Sequence, residues 1–352
     1  MLQDYKISNG SRQILVINCG STSLKYKLFE AENLKLIKEN NFQHLKSHQQ
    51  ALKQVLREIG DLSKIMAVGH RVVHGGKEFK ETRKVTKETL LELEKYNQLA
   101  PLHNPYNLEG IKACLEYLPK VSNFAVFDTA FFKDLPDKAK IYALPYKFYE
   151  QGIERFGFHG ISHQYAAQEA AQKLKKPLNK LKLITCHLGG GSSIAAIDKG
   201  KVIDTSMGFT PLEGLVMSTR PGDLDPGIIL YLMKNKGFDL NKIDELLNHQ
   251  SGIKGLSGCE NFLDLLKAMK SDEKAKLAFE IFIYRAKKYI GAYCAILNGI
   301  DALVFTGTVG TGKPLTRNKI CQKMDILKNV SIFTIPANEE LMIAREVKAM
   351  SF

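Results

Sequence analysis

At 352 residues the chain exceeds the length at which one hydrophobic core usually stops growing, so two domains are expected. With 44% hydrophobic and 25% charged residues it has an ordinary globular composition, and its apolar runs break well before the ~18 residues of a membrane span, so a membrane protein is not expected. The net charge of +13 comes from lysines scattered along the chain, without the basic cluster interleaved with aromatics that nucleic-acid binding would use, and it reads mainly as a solvated surface.

Met1 to Lys6 contain no apolar segment and no small-residue cleavage site, so a cytoplasmic location is expected. The stretch before Gln13 has no assignable role and is expected to be disordered. Short β-branched or aromatic runs at 14–17, 26–29, 65–68, 124–127, 183–185, 194–197, 303–305 and 332–335 read as strands. Amphipathic stretches at 87–97, 108–117, 163–174 and 273–297 read as helices, and a last helix starts after Asn338 with Glu339 and Glu340 in its first turn. The alternation is that of an α/β protein. The six cysteines form no C-x-x-C pair, which argues against a disulfide framework or a zinc site and for reduced, mostly buried thiols.

An architectural repeat is visible. Residues 15–28 read as strand, small-residue turn (Asn18-Cys19-Gly20-Ser21-Thr22-Ser23), strand. Residues 183–197 read the same way around His187-Leu188-Gly189-Gly190-Gly191-Ser192. Either these are two ordinary hairpin turns, or they are a pair of phosphate loops that wrap a polyphosphate with backbone N–H groups across a cleft.

Further segments supply side chains suited to anions. Gly69-His70-Arg71-Val72-Val73-His74 places Arg71 among small residues after a strand, and the planar guanidinium fork matches carboxylate and phosphate. His103, in a Pro101-to-Pro105 turn, is either a substrate contact or structural. Asp128 falls at the C-terminal end of a strand, a common ligand position in α/β sheets. His159 and His163 are four residues apart, but Gly160 stands between them and the glutamate of H-E-x-x-H is missing. His159 therefore reads as a phosphate contact rather than half of a zinc pair. A long Gly/Pro-punctuated loop from 204 to 227 carries Arg220. Gly307 to Lys313 fits G-x-x-x-x-G-K, yet Pro314 replaces the hydroxyl residue of a true P-loop, so a backbone-lined nucleotide loop is preferred.

Taken in this order, from about Ile14 to Arg345, these segments resemble the acetate kinase family. The resemblance implies duplicated ribonuclease-H-like, actin-like ATPase domains. Each would have a mixed central sheet flanked by helices, with a cleft between domains. The boundaries implied are an acetate and phosphate domain at 1–148, completed by a C-terminal helix at 340–352, and a nucleotide domain at 149–339. The implied activity is reversible, in-line transfer of the γ-phosphoryl of ATP to acetate with Mg²⁺ or Mn²⁺, in a homodimer, without nucleic acid or membrane partners.

The roles implied residue by residue are these. Asp128, His159, Arg220 and Arg71 are catalytic. Arg71, Val73, Leu102, His103, Phe158 and Pro211 hold the acyl substrate. Ser21, Ser23, Lys25, His187, Gly189, Gly190 and Gly191 contact nucleotide phosphates. Asn261, Phe262, Leu263, Thr308, Val309, Gly310, Thr311 and Gly312 face the nucleoside, and Asn18 and Glu339 serve the metal. Val73 leaves little spare volume, so acetate is expected over propionate, with a propionate or butyrate kinase as the alternative. The chain departs from the family pattern at Gly190, at Asn261-Phe262-Leu263 and at Thr308 to Gly312, so relaxed donor choice, extending to GTP or pyrophosphate, is also expected.

Overall fold

The computed structural model describes residues 12–351; the expectation for the stretch before Gln13 falls, apart from Arg12, outside the described residues. The chain divides into two compact units, one of residues up to Ala130 with Asn338 onward, the other Phe131–Ala337. The division at 130/131 precedes the 148/149 boundary expected from the sequence. The reason is packing: Phe132 and Leu135 are buried in one cluster with Ala166, Ala170, Leu183 and Ile197 of the second unit. At the other end the division falls at 337/338, so Asn338 and Glu339 go with the first unit rather than with the 149–339 segment.

The first unit contains one sheet of β1 (Gln13–Cys19), β2 (Ser23–Glu30), β3 (Leu36–Gln43), β4 (Ile65–Val72), β5 (Arg83–Lys84) and β6 (Ser122–Phe127), in the order β3-β2-β1-β4-β6-β5. The second contains β7 (Lys182–Leu188), β8 (Ser192–Asp198), β9 (Lys201–Thr205), β10 (Ala302–Thr306) and β11 (Ser331–Thr334), in the order β11-β10-β7-β8-β9. Apart from β5 the two sheets repeat one plan. A three-stranded antiparallel meander (β1–β3, β7–β9) is extended by two strands parallel to its first strand. The duplication expected from two similar hairpins is therefore a duplication of whole sheets.

The central strands were legible because helices cover both faces, so Ile14, Leu15, Val16 and Ile17 in β1 and Leu183 and Ile184 in β7 are all buried and read as unbroken apolar runs. β3 was not legible. Its Leu36-Ile37-Lys38-Glu39-Asn40-Asn41 run is exposed at a sheet edge, where no face selects apolar residues. The helix Glu273–Leu297 follows the expected bounds: Asp272 accepts from the Lys274 N–H, and Asn298 ends it in the left-handed region at φ 52°. Ala275, Ala278, Phe279, Phe282, Ala286, Ile290 and Tyr293 form its buried stripe. Among the described residues, no helix is long and apolar enough to cross a membrane.

The C-terminal helix Glu339–Ser351 begins where Asn338 Oδ1 accepts from the Leu341 N–H at 3.4 Å, and it lies on β1 and β4. Gly69 of β4 permits this approach: a Cβ there would meet Ile343 Cγ2 at 2.6 Å and Val347 Cγ2 at 2.8 Å. Both contacts are methyls of β-branched residues on a helix, which have little rotamer freedom to yield. Gly69→Ala should therefore lower unfolding stability by about 1–3 kcal/mol, the usual cost of overpacking. Denaturant titration checks this, and an unchanged midpoint would show that the helix docks more loosely.

Candidate active site

In the first unit, two adjacent parallel strands carry a charge cluster at their C-terminal ends. Arg71 lies in β4 opposite Val126 of β6, and Asp128 follows the end of β6. Asp128 is buried and accepts from Arg71 Nη2 at 2.7 Å and from Nε at 3.2 Å, while Arg71 Nη1 reaches Glu339 Oε2 at 3.4 Å. Burial pushes the Asp128 carboxyl up to about 6, Arg71 pulling the other way, so it stays mostly ionised at neutral pH. For Arg71, burial works against the charge, and Asp128, Glu339 and Glu340 outweigh it, so its pKa rises. Next to this cluster, buried Glu340 takes Lys25 Nζ at 2.9 Å and Lys27 Nζ at 3.8 Å. Lys25 is thus held at the first hairpin by a carboxylate 315 residues away, a partner no local pattern could reveal.

The first hairpin tip is fixed from behind. Asn107 Nδ2 donates to Cys19 O at 2.6 Å, His48 Nε2 lies 2.7 Å from Gly20 O, and the Gly20 N–H donates to Ser23 O at 2.9 Å. Ser21 and Thr22 remain exposed at the tip. Of the expected acyl contacts in this unit, Val73 is buried, with its N–H donating to Asn107 Oδ1 at 3.1 Å. Leu102 is 45% exposed, and His103 occupies the N-cap position of the helix Asn104–Tyr117.

In the second unit the hairpin is one residue tighter: three glycines, Gly189 to Gly191, separate the paired residues Leu188 and Ser192, whereas four residues separate Cys19 and Leu24. Beside it stands His159, at φ 59° ahead of the helix Gly160–Leu174. The bend is made possible by Gly157, at φ 73°, where a Cβ would lie 2.7–2.8 Å from Phe132 and Thr205. Phe158 is buried. The His159 and His187 rings stack at 4.3 Å. The Cβ that Gly191 lacks would be 3.0 Å from Arg220 Nη2 and 3.2 Å from His159 Nε2, so guanidinium and imidazole converge on the same small space.

Arg220 differs from Arg71 in one respect. Its Nη1 donates to Pro211 O at 2.8 Å, yet among the described residues it forms no ion pair, and burial alone draws its pKa down. A partly desolvated cation without a counter-ion is a costly arrangement that a bound anion relieves. Its loop is braced elsewhere: Arg155 Nη1 donates to Thr205 O and Met207 O at 3.1 Å each, and Arg155 Nη2 and Tyr142 Oη both reach Glu213 at 2.5 Å. Sequence reading missed Arg155, Tyr142 and Glu213 because their partners lie far apart in the chain; their role is set by contacts 58 and 71 residues apart.

A cavity of about 240 Å³ adjoins the glycine hairpin and is lined by Gly190, Ser218, Asn261, Phe262, Leu263, Thr308, Val309, Gly312 and Lys313. Asn261 Oδ1 is committed to capping the helix Phe262–Ala268 through the Asp264 N–H, and Phe262 is buried in the core. Gly310 and Thr311, also expected to face a nucleoside, are tied into the loop's own frame: Gly310 O accepts from Arg317 Nη1, and Thr311 Oγ1 donates to Gly307 O. Gly307–Gly310 is a single helical turn, and Pro314 opens the next helix.

Residues 13–330 match the model of the acetokinase family. The chain is 45% identical to the acetate kinase of Thermotoga maritima, over 96% of this chain and 98% of the relative, and 43% identical to that of Halothermothrix orenii, over 95% and 98%. Among solved structures it resembles Porphyromonas gingivalis acetate kinase, with TM-score 0.90 and 37% identity over 97% of this chain and all of that one. A propionate kinase from Francisella tularensis matches with TM-score 0.88 and 37% identity over 95% and 98%.

The unpaired Arg220 predicts anion binding that can be seen without any turnover. Phosphate at a hundred times its dissociation constant should add about 2.7 kcal/mol to the stability of the second unit. That amounts to a rise of roughly 5–10 °C in melting temperature. Arg220→Ala should abolish most of the rise in a thermal-shift measurement, and an equal rise in the variant would assign the anion to other groups.

Proposed function

The chain belongs to the acetokinase family, and from that premise we propose that it transfers the γ-phosphoryl group of ATP reversibly to acetate, giving acetyl phosphate and ADP. The observation that carries this reading is the pair of donors around Gly191: an arginine without a counter-ion and a histidine, aimed at one space beside a hairpin of three glycines. Phosphoryl transfer asks mainly for positioning and for neutralising charge on the moving group, and these are the groups that do both.

In the proposed reaction an acetate oxygen attacks the γ-phosphorus and the bond to the β–γ bridging oxygen breaks, leaving ADP. No covalent phosphoenzyme is needed. Arg220 and His159 donate to the equatorial oxygens, offsetting the charge of a loose transition state. Arg71, anchored to Asp128 through Nε and Nη2, offers the acceptor carboxylate the Nη1 hydrogen not turned to Glu339. Asp128 therefore acts by fixing Arg71. Val73, Leu102, Phe158 and Pro211 are the side chains assigned to the acyl methyl, with His103 supporting. The glycine hairpin with His187, and Ser21, Ser23 and Lys25 of the first, hold donor phosphates. The cavity at Gly190, Asn261 to Leu263, Thr308, Val309 and Gly312 takes the nucleoside.

Among the described residues, no three carboxylate, histidine or cysteine side chains form a metal cage. Mg²⁺ takes one or two protein oxygens and completes its shell with phosphate oxygens and water. Asn18 and Glu339 would supply those oxygens, and the bound ion would neutralise phosphate charge.

Acetyl phosphate trapped as hydroxamate, with ATP, acetate and Mg²⁺ present, tests the activity directly. Replacing Arg71 or Arg220 by alanine should lower kcat by about a hundredfold or more, on the scale of a lost transition-state donor; turnover near the wild-type value in either variant would refute its role.

The substrate profile is a second test. Buried Val73 supports acetate over propionate by about tenfold in kcat/KM, the worth of one methylene, and equal values would overturn that order. On the donor side, a cavity whose Asn261 is spent on a cap offers the base few fixed polar partners, which supports GTP as an alternative donor. Strict dependence on ATP in a donor panel would defeat that part of the reading.

A further inference from the structure

Behind His159 lies a buried chain of hydrogen-bonding groups to which the proposed reaction assigns no task. Ser193 Oγ is 2.9 Å from His159 Nδ1 and 2.8 Å from His163 Nε2, and His163 Nδ1 is 2.7 Å from Thr185 Oγ1. Ser193, His163 and Thr185 are all fully buried. The four side chains come from β7, β8 and the start of the helix Gly160–Leu174, so the chain is part of the second unit's rigid frame.

Counting protons decides its direction. Burial, together with the nearby His187, holds the His163 pKa well below its usual value, so this imidazole is neutral and carries one N–H. Each hydroxyl has one hydrogen to give. If His163 carries its proton on Nδ1, that proton points at Thr185 Oγ1. The threonine hydrogen then has no acceptor within reach among the described residues, at the cost of a buried unsatisfied donor. If His163 carries it on Nε2, every hydrogen finds a partner. Thr185 donates to His163 Nδ1, His163 Nε2 donates to Ser193, and Ser193 donates to His159 Nδ1. His159 must then accept at Nδ1, which leaves its single proton on Nε2, the nitrogen aimed at the space it shares with Arg220.

The geometry points to Thr185, His163 and Ser193 as positioning residues that fix His159 in its Nε2–H tautomer, so that a neutral imidazole donates to the transferring phosphoryl group. The inference rests on the phosphoryl-transfer reading above. Within the second unit, the titratable and charged groups facing His159 are His187, stacked on it, His163 and the Arg220 cation. A neutral imidazole in the other tautomer would present a lone pair to a phosphoryl oxygen and repel it. The relay thus makes exclusive a tautomer that a free histidine populates only in part, and it holds the ring's one N–H on the side of the shared space.

Three variants of the full chain test this: Ser193→Ala, which removes the donor to Nδ1; His163→Phe, which removes the link; and His163→Gln, whose amide restores a donor towards Ser193. Long-range ¹H–¹⁵N spectra of the histidine rings should show wild-type His159 protonated on Nε2 alone at about pH 7.5, and a mixture of tautomers in Ser193→Ala. A wild-type His159 protonated on Nδ1 would overturn the inference whatever the activity. In the hydroxamate assay, Ser193→Ala should lower kcat by about tenfold or more at pH 8, the worth of one positioned proton donor, with KM for acetate little changed.

The wild-type rate should be flat in pH as far as His159 is concerned. In Ser193→Ala only the imidazolium reliably donates from Nε2, so its activity should fall as pH rises through the histidine range. His163→Gln should recover most of what His163→Phe loses. Wild-type kcat and pH profile in Ser193→Ala would sink the relay. Absence of acetyl phosphate from the wild-type protein would instead sink the kinase reading, and the tautomer spectrum would still decide the relay.

Discussion

A partly buried guanidinium without a carboxylate to neutralise it is the constraint around which the second unit is arranged. Arg220 gives one hydrogen bond to Pro211 O and forms no ion pair among the described residues, and burial works against its charge. Such a group is held only if the surrounding fold prevents it from swinging into water. The clamp is visible: Arg155, Tyr142 and Glu213 lock the loop upstream of Arg220, and Tyr289 Oη donates to Asp223, which in turn takes the Gly214 N–H. Arg71 shows the opposite solution, since Asp128 and Glu339 match its charge and make it a rigid, oriented fork.

The duplicated sheet explains how one chain acquires two hairpin tips of different kinds. β1–β2 and β7–β8 are built on the same plan, with a parallel neighbour on the same side. Their turns then diverge. The first keeps Ser21, Thr22 and Ser23 and has its carbonyls tied back by Asn107 and His48, with Ser21 and Thr22 left exposed at the tip. The second is three glycines long, which lets guanidinium and imidazole close on a space that any Cβ at 191 would fill. At Gly190 an added Cβ would find only Ser218 Oγ near it, at 3.9 Å, so glycine there leaves space open beside the hairpin.

Much of this was legible in the sequence because strands covered on both faces read as apolar runs, and tight turns demand glycine and serine whatever their partners. Arg71, His159 and Arg220 stood out because each sits among small residues that could not fill the space around it. Edge strand β3 was not legible, since its residues are exposed and carry no packing signal. The domain boundary drawn at 148/149 fell late for a related reason: composition does not change where Phe132 and Leu135 turn into the second core.

By itself, then, the sequence determined the α/β class, the paired hairpins and the identity of the groups available to bind an anion, because backbone propensity and side-chain chemistry are local properties. Tertiary structure alone decided which of those groups are spent on one another. Asp128 is committed to Arg71, Glu340 to Lys25, and Asn261 to a helix cap. Among the described residues Arg220 is left without a counter-ion, and His159 is backed by Ser193 and His163. Charge pairing and proton placement depend on distances of about 3 Å between residues far apart in the chain, and folding alone sets those distances.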